Sequence, residues 1–164
     1  MFLQELFSLD ISDILKVIAI AASPISELRL AIPVAFGFHF PWYHAYIFAV
    51  LGNLLPVPFL LYFLKGIIRL SAKVGFLDRI FTRLSDNALK RGKIIERYER
   101  LGLVLFVAIP LPVTGAWTGS LAAVLLGLRF KHSLASIFIG ILLAGVIVTT
   151  ITFLGWNFLG LLDD

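Results

Sequence analysis

Four long apolar stretches, separated by short polar segments, dominate the sequence. They cover residues 14 to 38, 44 to 64, 101 to 128 and 133 to 160. Each reaches the roughly 20 residues that an α-helix needs to cross the hydrocarbon core of a bilayer. The pattern therefore predicts an all-α integral membrane protein, and residues 1 to 164 are expected to form a single membrane domain.

Two of these stretches carry helix-breaking residues near their centres. Proline lacks an amide hydrogen and clashes with the preceding helical turn, and glycine commonly ends helices. Each stretch is therefore expected to break into half-helices of about 15 Å, which reach only the middle of the bilayer. This length predicts two re-entrant hairpins, which are permitted where the exposed backbone is buried in protein or lines a wet cavity. The predicted hairpin-breaking residues are Pro24 and Pro33 in the first stretch, and Pro110, Pro112, Gly115 and Gly119 in the third.

Positive charge is concentrated in one segment, which sets the expected orientation. Ten of the 14 lysines and arginines lie between Lys65 and Arg100. By the positive-inside rule, residues 65 to 100 are predicted to be cytoplasmic, with an amphipathic helix attracted by anionic lipid of the inner leaflet. A specific regulatory or lipid-head-group role of this connector is the alternative. The protein is thus expected to pass the cell membrane several times, with both termini outside.

A weak internal repeat agrees with this orientation. A shift of 88 positions aligns Pro24-Ile25-Ser26 with Pro112-Val113-Thr114, and Leu51-Gly52 with Ile139-Gly140. Together with the charge pattern, it predicts two repeats of opposite orientation. Inverted repeats with discontinuous helices are typical of secondary transporters, whose sites lie near the bilayer midplane. The predicted organisation is a first repeat at 1 to 64, a connector at 65 to 100 and a second repeat at 101 to 164.

Two charged residues, Glu27 and Arg29, lie between prolines inside the first apolar stretch. A charge at the centre of a membrane helix costs roughly 2.5 to 3.5 kcal/mol, so both side chains are expected to face the protein interior or water. One interpretation is a structural ion pair that fixes the hairpin. In the other, Glu27 is a protonatable group and Arg29 is an anion ligand, since a guanidinium suits phosphate or carboxylate. Burial opposes ionisation of Glu27 and a nearby cation favours it, and the sequence leaves this balance open.

Uncharged polar residues complete the predicted substrate or proton site. Thr114 and Thr118 lie in the second broken stretch, where half-helix amides and hydroxyls could hold an anion. Alternatively, both hydroxyls bond to their own backbone. Asn53 precedes two prolines in mid-span, where it could bind substrate or satisfy the carbonyls that the prolines leave free. The candidate binding residues are Glu27, Arg29, Asn53, Thr114 and Thr118.

Composition and motifs argue against several other functions. Sixty per cent of the residues are hydrophobic and 15% are charged, with a mean hydropathy of +0.99, which is outside the range of soluble domains. The chain has no cysteine and no catalytic or nucleotide-binding motif, so we expect no enzyme, no cofactor and no metal site. The net charge of +4 reflects the connector, so nucleic acid is not an expected partner. Ser136, Gly140 and Ala144 form a small-residue ridge that is expected to pack a helix, within the chain or across a homodimer.

Two motifs carry a family resemblance that spans nearly the whole chain. SELRLAIPVAFG and IPLPVTGAWTGSLAA resemble the small multi-drug export protein family, which is similar to the wider DedA, or VTT-domain, superfamily. The resemblance implies two re-entrant hairpins in an inverted repeat and the movement of polyprenyl phosphate or other lipids, coupled to protons. Glu27 resembles the acidic residue of the first hairpin and Pro110 the proline of the second. Unlike DedA proteins, this chain has no arginine around that proline, where it reads VAIPLPVTGAW.

Three functions are compatible with the sequence. The first is a DedA-like, proton-coupled secondary transporter or flippase for an anionic lipid such as polyprenyl phosphate. The second is a proton-coupled exporter of small amphiphilic drugs, which would depend on Glu27 more than on Arg29. The third is a lipid-organising or scaffold membrane protein without transport. In all three, membrane lipids are the expected partners.

Overall fold

The computed structural model describes residues 9–71, 93–111 and 114–160, and in these ranges it contains helices and no strand. This confirms the predicted all-α class. The predicted amphipathic helix of the connector lies largely outside the described residues. The helices are α1 (Ile11–Ala22), α2 (Glu27–Gly37), α3 (Trp42–Leu54), α4 (Val57–Ser71), α5 (Lys93–Ala108), α6 (Ala116–Leu125) and α7 (Phe130–Phe158).

Within the described ranges, two helical segments are long and apolar enough to cross a membrane, at Trp42–Ile67 and Phe130–Phe158. The core helix of a soluble protein would be mostly buried, but only 33% and 44% of their most apolar windows are buried. Large apolar side chains such as Phe59, Ile151 and Leu154 instead point outward. Such surface is stable in contact with lipid tails and costly in water. The chain is therefore a membrane protein.

The first of two compact units comprises residues 1–55 and 141–164. Within it, α1 packs against both α2 and α3, and α2 packs against α3. Gly52 permits a close approach of α3 to α1, because a Cβ atom there would lie 2.6 Å from the carbonyl oxygen of Ile18. The second half of α7 joins this unit, where Gly145 contacts the ring of Tyr46 and the Tyr46 hydroxyl donates to the carbonyl of Leu142 at 3.3 Å.

The second unit comprises residues 56–140. In this unit, α6 packs against α4 and α5. Val107 of α5 lies against two glycines: a Cβ atom at Gly119 of α6 would come within 2.5 Å of its side chain, and one at Gly140 of α7 within 2.6 Å. Small residues thus bring the helix backbones together, as is common in membrane bundles. The two units cut across the predicted repeats, since each combines segments from both halves of the chain.

Local features recur at the 88-residue interval seen in the sequence. α2 ends at Gly37 and α6 at Leu125, and the next helices begin at Trp42 and Phe130. Left-handed residues follow the two helix ends, His39 with φ 59° and Gly127 with φ 69°. In both cases the next amide bonds back to a carbonyl five residues earlier, at 3.0 Å, which is the Schellman arrangement. The tight glycines, Gly52 and Gly140, are separated by the same interval.

The helix breaks differ in part from those predicted. Pro33 lies inside α2 and Gly119 inside α6, so the prediction that these two residues break helices is wrong. A proline within a helix removes a single amide hydrogen bond, which neighbouring groups in a membrane bundle can tolerate. Gly119 keeps its bond, since its amide donates to the carbonyl of Gly115 at 2.8 Å. The apolar stretch at 44 to 64, expected as one helix, is interrupted between Leu54 and Val57.

Candidate functional site

The break between α1 and α2 is a hydrogen-bonded turn of four residues, Ser23 to Ser26. The Ser23 amide donates to the carbonyl of Ile20 at 3.2 Å and ends α1. The Ser23 hydroxyl accepts from the amide of Ser26 at 3.3 Å and donates to the Ser26 hydroxyl at 3.0 Å. Serine hydroxyls thus replace helical hydrogen bonds around Pro24, as they do in turns. Glu27 follows this turn directly and is the first residue of α2.

Glu27 has a backbone conformation that is rare for residues other than glycine. Its φ is 49°, in the left-handed region that favours glycine. It is also only 5% exposed. A buried residue other than glycine in this conformation costs of order 1 to 3 kcal/mol, and such residues cluster at binding and catalytic sites. The surrounding structure therefore holds Glu27 in place, and its amide bonds to the carbonyl of Ser23 at 3.2 Å.

Arg29 faces Glu27 across the first turn of α2. One guanidinium nitrogen, Nη2, lies 3.7 Å from Glu27 Oε2. This distance joins opposite charges but is too long for a hydrogen bond. The Arg29 side chain is 23% exposed. The described part of the chain supplies its guanidinium with no hydrogen-bond acceptor, so its five N–H donors remain available to a ligand. The structure thus brings the two predicted charges together in a loose ion pair.

The threonines of the second broken stretch bond to their own backbone. The Thr114 hydroxyl donates to the carbonyl of Ile109 and accepts from the amide of Leu111 at 3.1 Å. The Thr118 hydroxyl lies 3.5 Å from the carbonyl of Gly115. This is the structural alternative foreseen for these residues. Pro110 and Gly115 lie between α5 and α6, whereas Pro112 lies outside the described residues.

Asn53 is 1% exposed in the last turn of α3. Its Oδ1 atom is buried and has no hydrogen-bond partner among the described residues. A buried amide oxygen without a donor costs about 1 to 3 kcal/mol. No described backbone amide donates to this oxygen, so Asn53 stays a candidate for accepting a hydrogen bond from a ligand.

A pocket in the first unit was not predicted from the sequence. Its volume is about 420 Å³, and it lies between the first turns of α3 and the second half of α7. Its walls include three aromatic rings and two threonines, and none of the described residues that line it is charged. The spacing of its residues along each helix is the only signal that the sequence carries, and that spacing also fits ordinary packing. Its described lining residues are Trp42, Tyr46, Val146, Thr149, Thr150, Phe153 and the outward-facing Leu154.

A family model described as "Putative small multi-drug export protein" matches residues 27–147. The chain belongs to this family. The match begins at Glu27, directly after the first break, and contains the second, so the predicted family resemblance is confirmed, while the wider DedA resemblance stays a prediction. Comparison with curated proteins and with solved structures gives no match.

This small multi-drug export family member has two chemically distinct features in its first unit. Glu27 and Arg29 form a pair of opposite charges. Protonation of Glu27, or binding of an anion to Arg29, would change the net charge of this pair. The pocket provides aromatic surface and hydroxyl groups without charge. Export is movement across a membrane, and the two long, lipid-exposed apolar segments suit a protein of that kind.

Proposed function

We propose that the chain is a secondary transporter that exports small amphiphilic molecules and is coupled to protons at Glu27. The observation that carries this proposal is a buried carboxylate, held at a left-handed backbone position, facing a loosely paired arginine at a helix break. An ionisable residue inside a membrane segment costs stability, so such residues are usually paired or functional. The description of the family, which names multi-drug export, supports the same class of activity.

The ion pair suggests how protons could drive the transport cycle. When Glu27 is ionised, the guanidinium of Arg29 neutralises it at 3.7 Å. When the carboxylate takes up a proton, that attraction is lost and Arg29 carries an uncompensated positive charge. The two protonation states therefore favour different arrangements of the α1–α2 break. A proton gradient can bias the balance between these arrangements, as alternating access requires.

We further propose that the two breaks are the tips of re-entrant hairpins in an inverted repeat. The recurrence of helix ends, left-handed residues and tight glycines at an interval of 88 residues supports a repeat. The concentration of positive charge between Lys65 and Arg100 supports opposite orientations of the two copies, with this connector in the cytoplasm and both termini outside. Substrate sites of such architectures lie near the bilayer midplane.

Translocation of an anionic lipid, such as a polyprenyl phosphate, is the second candidate. The observation that favours it is Arg29, whose partly exposed guanidinium is a planar fork of donors that matches phosphate. In this case Arg29 would bind the substrate, and Glu27 would release it on ionisation. A lipid-organising protein without transport would need neither residue for any movement of solute.

Proteoliposomes with a pH gradient distinguish these functions. We expect Glu27→Gln to slow proton-driven efflux of ethidium at least tenfold, and Arg29→Ala to slow it less. Asp13→Asn is the matched control, because it neutralises an acid of a more exposed ion pair, with Lys16, in the same two-helix segment. If Arg29→Ala instead abolishes the flipping of a fluorescent polyprenyl phosphate while ethidium is not moved, the second candidate is correct. Absence of both activities in the wild type would contradict both proposals.

A further inference from the structure

We infer that the pocket between α3 and α7 binds the aromatic part of the exported molecule, and that it selects aromatic amines and cations over anions. This inference rests on the proposed function and assigns the substrate class. The pocket volume of about 420 Å³ lies within the range of roughly 300 to 1,000 Å³ that is usual for small-molecule sites.

Two of the three hydroxyl groups that line the pocket, those of Tyr46 and Thr150, are arranged as hydrogen-bond acceptors. The Tyr46 hydroxyl donates its hydrogen to the carbonyl of Leu142 at 3.3 Å, and that of Thr150 donates to the carbonyl of Val146 at 2.8 Å. Because each hydroxyl has one hydrogen, only the oxygen lone pairs remain for a ligand. A ligand with N–H groups therefore fits these oxygens better than a carboxylate or phosphate does.

Thr149 gives a second, independent indication of a ligand. It is 7% exposed and lines the pocket, and its Oγ1 atom has no hydrogen-bond partner in the described part of the chain. Buried hydroxyls are normally satisfied, and one without a partner costs about 1 to 3 kcal/mol. A small rearrangement around a bound polar group would satisfy it.

The aromatic rings favour a planar ligand with delocalised positive charge. Trp42, Tyr46 and Phe153 contribute ring faces or edges, and no arginine or lysine lines the pocket to repel a cation. An aromatic face attracts a cation by roughly 0.5 to 2 kcal/mol, most strongly for tryptophan. A lipid acyl chain has neither N–H donors nor charge, so it would leave the Thr149 hydroxyl without a partner. A second copy of the chain needs a surface of about 800 Å², far more than a pocket of this size offers.

The position of the pocket suits the release side of an exporter. Trp42 begins α3, and Phe153 lies near the end of α7. In the proposed topology both of these helix ends lie on the outer side. α2, which carries Glu27 and Arg29, reaches the same end of α7, where the rings of Phe36 and Trp156 lie 5.9 Å apart. A change at the ion pair can thus be passed to the pocket through α2.

The test is binding of ethidium to the whole protein in phosphatidylcholine nanodiscs, followed by fluorescence anisotropy without a pH gradient. We expect saturable binding of ethidium and at least tenfold weaker binding of the anionic dye 8-anilinonaphthalene-1-sulfonate. Val146→Phe fills the pocket and should weaken ethidium binding at least tenfold. Ile151→Phe, a similar change at an exposed position of α7 outside the pocket, should leave it unchanged.

A more conservative substitution tests the same inference in case Val146→Phe does not fold. Tyr46→Phe removes one acceptor with little change of volume, and we expect it to weaken ethidium binding about fivefold, the effect of one modest hydrogen bond. Wild-type affinity in both Val146→Phe and Tyr46→Phe, or equal binding of the anionic dye, would overturn the inference. So would native mass spectrometry showing a phospholipid bound to the wild type and absent from Val146→Phe, or a dimer that Val146→Phe disrupts.

Binding and transport separate this inference from the proposed function. If Val146→Phe loses ethidium binding and ethidium efflux together, the pocket is on the transport path. If it loses binding but transports normally, the substrate assignment fails while the transporter proposal stands. If the wild type binds ethidium with the expected variant pattern but shows no proton-driven efflux, the transporter proposal fails and the pocket remains a binding site for aromatic cations.

Discussion

At the scale of single residues, Glu27 and Arg29 were predictable and their geometry was not. A charge between prolines in an apolar stretch has few explanations, and pairing or function is the main one. Backbone dihedrals follow from the whole environment, however, so the left-handed φ of 49° at Glu27 has no sequence signature. For Thr114, the sequence left two alternatives open, and the bonds to Ile109 and Leu111 favour the structural one.

The backbone strain at Glu27 can be measured with a pair of uncharged variants. Glu27→Gly and Glu27→Ala both remove the carboxylate, but only glycine adopts a left-handed φ without a steric cost. We expect the glycine variant to be more stable than the alanine variant by about 1 kcal/mol, measured by thermal unfolding in detergent. An alanine variant of equal or greater stability would show that the position is not strained.

His39 offers a stabilising substitution of the same origin. It is a left-handed residue at the end of α2, where helices usually have glycine, as at Gly127 after α6. His39→Gly should raise the free energy of unfolding by about 1 kcal/mol, and the melting temperature with it. Phe38→Gly, one position earlier at φ −89°, is the control and should not be stabilising. A lower melting temperature for His39→Gly would indicate that the imidazole contributes contacts that outweigh the strain.

At the scale of helices, the sequence located the breaks only in part. Proline marks a place where one amide bond is missing, and the tertiary surroundings decide whether the helix ends there. At Pro24 the neighbouring serine hydroxyls take over backbone bonds and the helix ends, whereas α2 continues through Pro33. The interruption at Pro56 was missed because the apolar pattern runs through it without a change.

Helix contacts at tight glycines give a test of the bundle packing. A Cβ atom at Gly140 would lie 2.6 Å from Val107 Cβ and 3.0 Å from the carbonyl oxygen of Val104. Gly140→Ala should therefore destabilise the protein by about 1 to 3 kcal/mol, because the backbone of α5 must move. Gly155→Ala is the matched control on the same helix, since nothing lies within 4 Å of its added methyl. It should be neutral or stabilise by up to about 1 kcal/mol through helix propensity. Similar effects of both variants would contradict this packing.

At the scale of the whole molecule, the helical class and the membrane environment followed from composition and segment length. The pocket did not, because it depends on which side chains of α3 and α7 meet, and hydrophobic periodicity does not specify that pairing. The grouping of segments into two units could not be predicted from the sequence for the same reason. Charge distribution predicts sidedness but describes no contact, so the proposed topology needs its own experiment.

The absence of cysteine from the chain makes that experiment direct. His132→Cys and His39→Cys lie on opposite sides of the membrane in the proposed topology. In intact cells, a thiol reagent that cannot cross the membrane should modify position 39 and leave position 132 unmodified until the cells are opened. Modification of position 132 from outside would mean that the second broken stretch crosses the bilayer completely, and the inverted repeat would then be wrong.

The first unit joins residues 1–55 to residues 141–164, whereas the second unit is continuous in sequence. Since a ribosome delivers the chain from its N-terminus, all of the second unit is synthesised before the first can be completed. Tyr46, for example, is synthesised long before Leu142, whose carbonyl accepts its hydrogen bond. Helices α1 to α3 can therefore gain their contacts with the second half of α7 only after the whole second unit has been synthesised.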